Sequence, residues 1–199
     1  MFKQFVKSAV LGAIGLGLAS CSDDQDSGSA TQTLVSVTPQ DFRCISDMTP
    51  VRGFFVDNLT GGLDGTIAVA QSETGGVYPV GSVVQLVPTE AMVKREKGFD
   101  PATKDWEFFE LIVSKDGTTI NTRGSADVVN RFGGNCLECH AQAEPQWDLI
   151  CETDHGCDPI PLTPAMTRGI QKTDPRCEPV ALTDEEMEAL QLLKEMTGG

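Results

Sequence analysis

The sequence predicts an α+β fold, mainly β, with strands early in the chain and helices late. Three observations carry that expectation. Short β-branched and aromatic runs, punctuated by Gly and Pro, fill the stretch from Leu34 to Thr122. One of them, Trp106 to Val113 (WEFFELIV), is apolar on both faces and runs into a tight turn. After Gly133-Gly134 the pattern changes to a short helical motif, a Pro- and Cys-rich stretch and a terminal helix.

The chain opens on a targeting segment. Met1 to Ser20 combines Lys3 and Lys7 with an apolar run, Val10 to Leu18, the pattern of a secretory signal too short to span a membrane. It ends in Leu18-Ala19-Ser20-Cys21, similar to a bacterial lipobox, which predicts a signal peptide over 1–20 and lipidation of Cys21. Ser22 to Thr33 carries too little apolar surface to fold, so 21–33 reads as the lipidated Cys and a polar tether. Ser22 directly after the Cys resembles an outer-membrane sorting signal. The expected location is therefore the bacterial cell envelope, lipid-anchored and facing the periplasm. Residues 34–199 remain for a single domain.

Within that domain the expected strands follow in order. Leu34 to Val37 is a short apolar run. Gly53 to Val56 follows Pro50 and contains Phe54-Phe55. Thr66 to Ala70 comes after a Gly-rich turn, and Val83 to Val87 is stopped by Pro88. Trp106, Phe108 and Ile112 point to one face of the next strand; Phe109, Leu111 and Val113 point to the other. Ser114 to Gly117 is the hairpin turn, and Thr118 to Thr122 returns. Cys136 to Gln142 is expected as a short helix. Pro145 to Pro179 reads as an irregular, disulfide-stapled segment. Thr183-Asp184-Glu185-Glu186 is a capping box opening a helix that docks through Met187, Leu190, Leu192 and Leu193.

Charge and cysteines narrow the chemistry. The chain carries 15 basic and 29 acidic residues, a formal charge of -14. Such a surface repels nucleic acid and suits a neutral or basic partner. Of seven cysteines, Cys21 belongs to the lipid signal and Cys136 and Cys139 to the motif below. Cys44, Cys151, Cys157 and Cys177 are left for two disulfides in an oxidising compartment, with three possible pairings.

Cys136-Leu137-Glu138-Cys139-His140 is the C-x-x-C-H haem attachment sequence. Two thiols on one side of a helical turn add to the porphyrin edge, and the next residue brings its imidazole under the iron. One motif implies one covalent haem c, with His140 as the metal ligand and its other ring nitrogen bonded to a carbonyl or carboxylate. The competing reading is zinc, held by Cys136, Cys139 and two later ligands such as His155 and Cys157. On the far side of the iron, His155, Met48, Met92, Met166, Met187 and Met196 are the available ligands. Each reads more simply as solvated loop, core or surface. The expectation is an open position walled by aromatic bulk, with Phe108 and Phe54 favoured among Trp106, Phe109 and Phe55.

A haem motif placed late, after a β-rich stretch, resembles the cytochrome P-460 and cytochrome c′-beta family. The resemblance includes Tyr78-Pro-Val-Gly81-Ser-Val-Val84 and Asp105-Trp106-Glu107-Phe108-Phe109. It implies a curved antiparallel sheet with flanking helices and a five-coordinate haem that binds small molecules such as nitric oxide. One branch of that family cross-links a lysine to the porphyrin and oxidises hydroxylamine; Lys94, Lys97 and Lys104 lie in the corresponding stretch. Three functions follow as expectations. The first is a haem protein that binds a small diatomic or does redox chemistry at an open position. The second is a six-coordinate electron carrier serving a redox partner protein. The third is a hydroxylamine-oxidising enzyme.

Overall fold

The computed structural model describes residues 34–125, 127–130 and 132–197. The signal peptide, Cys21 and the tether lie outside the described residues. No helix among the described residues is long and apolar enough to cross a membrane.

Six strands form one antiparallel sheet in sequence order: β1 (Thr49–Val51), β2 (Phe54–Asn58), β3 (Ser82–Gln85), β4 (Glu90–Lys94), β5 (Trp106–Ser114) and β6 (Gly117–Gly124). The hairpin expected after WEFFELIV is there. Its two-residue turn is Lys115–Asp116, and Ser114 pairs with Gly117. Four α-helices accompany the sheet: α1 (Leu63–Ala70), α2 (Cys136–His140), α3 (Pro164–Lys172) and α4 (Asp184–Met196).

The fold is α+β but not mainly β, because α- and 3-10 helices together hold more residues than the strands. The curved sheet implied by the resemblance is not found either. The strands make an open meander with β1 and β6 at its edges. Two expected strands are missing, for physical reasons. Leu34 to Val37 joins no strand, because the guanidinium groups of Arg95 and Arg123 take the carbonyls of Val35 and Val37 at 2.7 and 3.1 Å. Thr66 to Ala70 belongs to α1. Asn58 accepts the Gly62 and Thr60 amides there and fixes the helix entry, and the Thr66 hydroxyl turns back to the Gly62 carbonyl.

Both faces of the sheet are covered, as the double-sided β5 predicts. On one face, Val56, Val84, Met92 and Phe108 form a cross-strand row over β2 to β5. Trp106, Tyr78, Leu149 and Ile150 join that layer, and Cys136 and Leu137 pack on it. On the other face Val83, Ala91, Val93, Phe109 and Leu111 meet Val35, Val37, Phe42 and Ile45 of the N-terminal segment. A third cluster, Val87, Met166, Ile170 and Leu193, docks α3 and α4 on the body. The capping box of α4 forms as expected: Glu186 donates its amide to the Thr183 hydroxyl, and the Thr183 amide donates to the Glu186 carboxylate. Leu190 and Leu193 dock the helix, whereas Met187 and Leu192 face outward. The four remaining cysteines pair as Cys44–Cys177 and Cys151–Cys157.

Candidate functional site

α2 is short and is set by the loop before it. Asn130 accepts the amides of Phe132 and Gly134 and donates its own amide to the Gly134 carbonyl. That tight closure needs the left-handed backbone of Gly133, at φ 80°. Cys136 then bonds back to Val128, and Asn135 caps the helix by accepting the Glu138 amide at 3.0 Å. Cys136, Cys139 and His140 are all half-buried.

His140 is held by one contact that decides its tautomer. Its Nδ1 lies 2.6 Å from the Leu149 carbonyl oxygen. A carbonyl only accepts, so Nδ1 carries the proton and Nε2 keeps its lone pair. Burial pushes the imidazole pKa down, against the pull of that hydrogen bond, which favours the neutral ring that metal ligation requires. The ring packs on Phe108 with centroids 5.4 Å apart. Across the ladder from Phe108 stands Gly124, where an added side chain would meet nothing within 4 Å.

The thiols complete the donor set. Cys136 and Cys139 are unpaired, while the other four described cysteines are bridged. Burial, then the charges of Glu90, Cys139 and Glu110, push the Cys136 thiol up to about 12, which favours its protonated form at neutral pH. Cys151 Sγ lies 3.4 Å from the Cys139 carbonyl, so the Cys151–Cys157 bridge abuts the motif helix. Val129 and Phe132, a few residues before Cys136, expose apolar side chains. The donor types match those that covalent haem attachment needs, one neutral imidazole nitrogen and two unpaired thiols, although among the described residues no metal-binding cluster gathers there. In this site haem would be held by Cys136, Cys139 and His140.

The donors suggested for zinc do not come together. Cys157 is bonded to Cys151, and His155 lies flat on Trp147 at 3.8 Å with its Nδ1 on the Ile150 carbonyl. Among the described residues no group of three or more His, Cys, Asp or Glu side chains gathers to hold a bare ion. His155 is also not the solvated loop residue its polar neighbours suggest. It is buried by that stack and by the disulfide loop around it.

The remaining expected residues separate cleanly. Phe108 reaches the His140 ring. Phe54 lies in the same apolar layer but three strands away, about 14 Å along the sheet, under the guanidinium of Arg52. Phe55 and Phe109 face the opposite layer. Met48 and Met166 sit in other clusters, and Met187 and Met196 are exposed. Among the described methionines, Met92 alone shares the layer with the motif, directly opposite Phe108 in the ladder. Lys94 is buried: its ammonium donates to both carboxylate oxygens of Asp148 at 2.9 and 2.8 Å and to the Lys104 carbonyl at 2.7 Å. Lys104 in turn donates to the Pro145 carbonyl. The residues that sequence reasoning missed are those of the corner that holds His140, Asp148 and Leu149. A groove of about 350 Å³ between Val113, Ile170, Leu190 and Leu193 lies away from the motif.

Compared with protein-family models, curated proteins and solved structures, the chain finds no match in any of the three.

Proposed function

We propose that this chain is a lipid-anchored, mono-haem c-type cytochrome of the bacterial cell envelope, akin to the cytochrome P-460 and cytochrome c′-beta family. Cys136 and Cys139 hold the haem covalently, and His140 ligates the iron. The function is binding of a small diatomic such as nitric oxide, or redox chemistry, at an open position. The observation that carries this reading is the His140 imidazole, its Nδ1 held on the Leu149 carbonyl, in a helix whose two cysteines are unpaired. When bound, haem supplies an iron that binds diatomics and changes oxidation state by one electron. The chain's own part would be to orient His140 through the Leu149 carbonyl and to present the two thiols for attachment.

The test is expression in a host with periplasmic haem-attachment machinery. Haem should survive acid-acetone extraction, and Cys136→Ala with Cys139→Ala should release it. The ferrous protein should be high-spin and bind nitric oxide. Freely extractable haem, or none, refutes the reading. For the anchor, Cys21→Ser should free the protein into the soluble periplasm; an unlipidated mature N-terminus refutes it.

A second reading is the six-coordinate electron carrier, for which Met92 is the described methionine in the same apolar layer as the motif. It stands beside Phe108, whose ring touches His140. A low-spin ferrous spectrum that Met92→Leu converts to high-spin would establish that reading in place of the open position. The hydroxylamine-oxidising reading gains nothing from Lys94, because all three ammonium protons already have partners.

A further inference from the structure

Two corners of the backbone carry consecutive non-glycine residues in the left-handed region. One is Lys104–Asp105, at φ 50° and 67°; the other is Asp148–Leu149, at φ 51° and 66°. Such residues persist only where the surroundings over-determine them. Here a single buried group ties the two corners together. The Lys94 ammonium, with a side chain 6% exposed, bonds the Lys104 carbonyl and both oxygens of Asp148. The ring of Trp106 lies 5.0 Å from it. Asp148 is fixed further by the Tyr78 amide on Oδ2 at 2.9 Å and by the Trp106 indole on its backbone carbonyl at 2.7 Å.

The two carbonyls that follow this corner do one kind of job. Leu149 accepts from His140 and Ile150 accepts from His155. The direction of the Leu149 carbonyl is therefore a consequence of the Asp148 clamp. A buried ion pair is seldom the most stabilising way to fill a core, so its presence directly beneath the histidine tether points to orientation.

We propose that Lys94 and Asp148 are positioning residues: their ion pair pins the left-handed Asp148–Leu149 corner, aims the Leu149 carbonyl at His140 Nδ1, and so sets how strongly Nε2 donates to the iron. The second half of this statement rests on the haem reading. The first half does not.

The experiment uses full-length protein carrying Asp148→Asn, and separately Lys94→Met with Asp148→Asn. Asn tolerates the left-handed backbone and can still accept the Tyr78 amide; the double variant removes both charges at similar volume. Glu107→Gln is the control, since it disturbs a comparable buried cluster with Arg95 and Arg123 on the opposite face. Nitrogen NMR of His140 reads the Nδ1 hydrogen bond directly. Resonance Raman of the ferrous haem protein reads the iron–histidine stretch. In the Lys94 and Asp148 variants the Nδ1 proton should exchange faster and move upfield. The stretch should fall in frequency, and diatomic dissociation should change by about ten-fold. The control should move none of these. An unchanged Nδ1 signal in either folded variant overturns the positioning role, whether or not haem is attached. A changed Nδ1 signal in a protein that attaches no haem supports the pin and refutes the haem reading instead.

Discussion

The two disulfides close loops of very different length, and that difference makes a quantitative prediction. Cys44 and Cys177 are 133 residues apart in sequence; Cys151 and Cys157 are 6 apart. If a bridge acts mainly by restricting the unfolded chain, the loop-entropy relation gives about 5 kcal/mol for the long loop and about 2 kcal/mol for the short one. The first figure is a third or more of a typical domain's total stability. The perturbations are Cys44→Ser with Cys177→Ser, and Cys151→Ser with Cys157→Ser, each unfolded in guanidinium at low temperature and followed by circular dichroism. Function should order the two variants the other way. The short bridge abuts the Cys139 carbonyl and encloses His155, so its loss should disturb haem retention and the ferrous spectrum. The long bridge joins the N-terminal segment to the chain before α4, remote from the motif. Its loss should cost stability and spare the spectrum. Equal stability losses for the two variants would refute the entropic argument, and an altered ferrous spectrum in the long-bridge variant alone would refute the spatial one.

Two further perturbations address the site and the core. Phe108→Ala removes a buried ring that touches His140; it should cost about 3–5 kcal/mol and change the rate of carbon monoxide or nitric oxide binding, whereas His155→Ala should leave the ferrous spectrum as it was. An unchanged rate in folded Phe108→Ala protein argues that the ring does not border the ligand. For pH, Asp174 is the informative group. Burial raises its pKa, but the Arg176 guanidinium and the amides of Ile45 and Arg176 outweigh that and hold it below the usual carboxylate range. A carboxyl depressed on folding stabilises the protein above its ordinary pKa of about 4, and that contribution is lost as pH falls through the lower folded value. Asp174→Asn should therefore cost about 3 kcal/mol at neutral pH and flatten the acid limb of the stability curve. An acid limb as steep as that of the parent refutes the assignment.

What the sequence made legible depended on how local the cause was. The β5–β6 hairpin, the α4 capping box and the short motif helix follow from neighbours within a few residues, and all three form. Thr66 to Ala70 went astray because a short apolar run fits either periodicity. What decides it is Asn58, eight residues before Thr66, whose amide also reaches the Val80 carbonyl. Glu90 to Lys94 hid because Glu90 and Lys94 make the run look polar, yet Lys94 is buried through a partner 54 residues away. α3 did leave a signal in Thr163-Pro164, a cap followed by proline at the first helical position. The surrounding prolines and cysteines masked it. The misses at α1 and α3 outweigh the one at β4 and turn a β-rich expectation into a fold with more helix than strand.

The same distinction explains the site. Cys136, Cys139 and His140 form a contiguous motif, so sequence could name them. Phe108 could be named as apolar bulk, but not chosen over Phe54 on geometry, because the two occupy one layer at different strands. The support behind His140 could not be named at all. It depends on a carbonyl, which every residue has, and on its direction, which is set by left-handed backbone at Asp148 and Leu149. Asp and Asn tolerate that conformation but do not announce it. Leu149 in particular has no intrinsic reason to adopt it. The reason lies in Lys94, Trp106 and Tyr78, three side chains or amides from distant parts of the chain that converge on one aspartate. A ligand's chemistry is written in its residue type, whereas its orientation is written in tertiary contacts. In this protein the carbonyl that meets His140 belongs to the same left-handed corner on which the contacts of Lys94, Trp106 and Tyr78 converge.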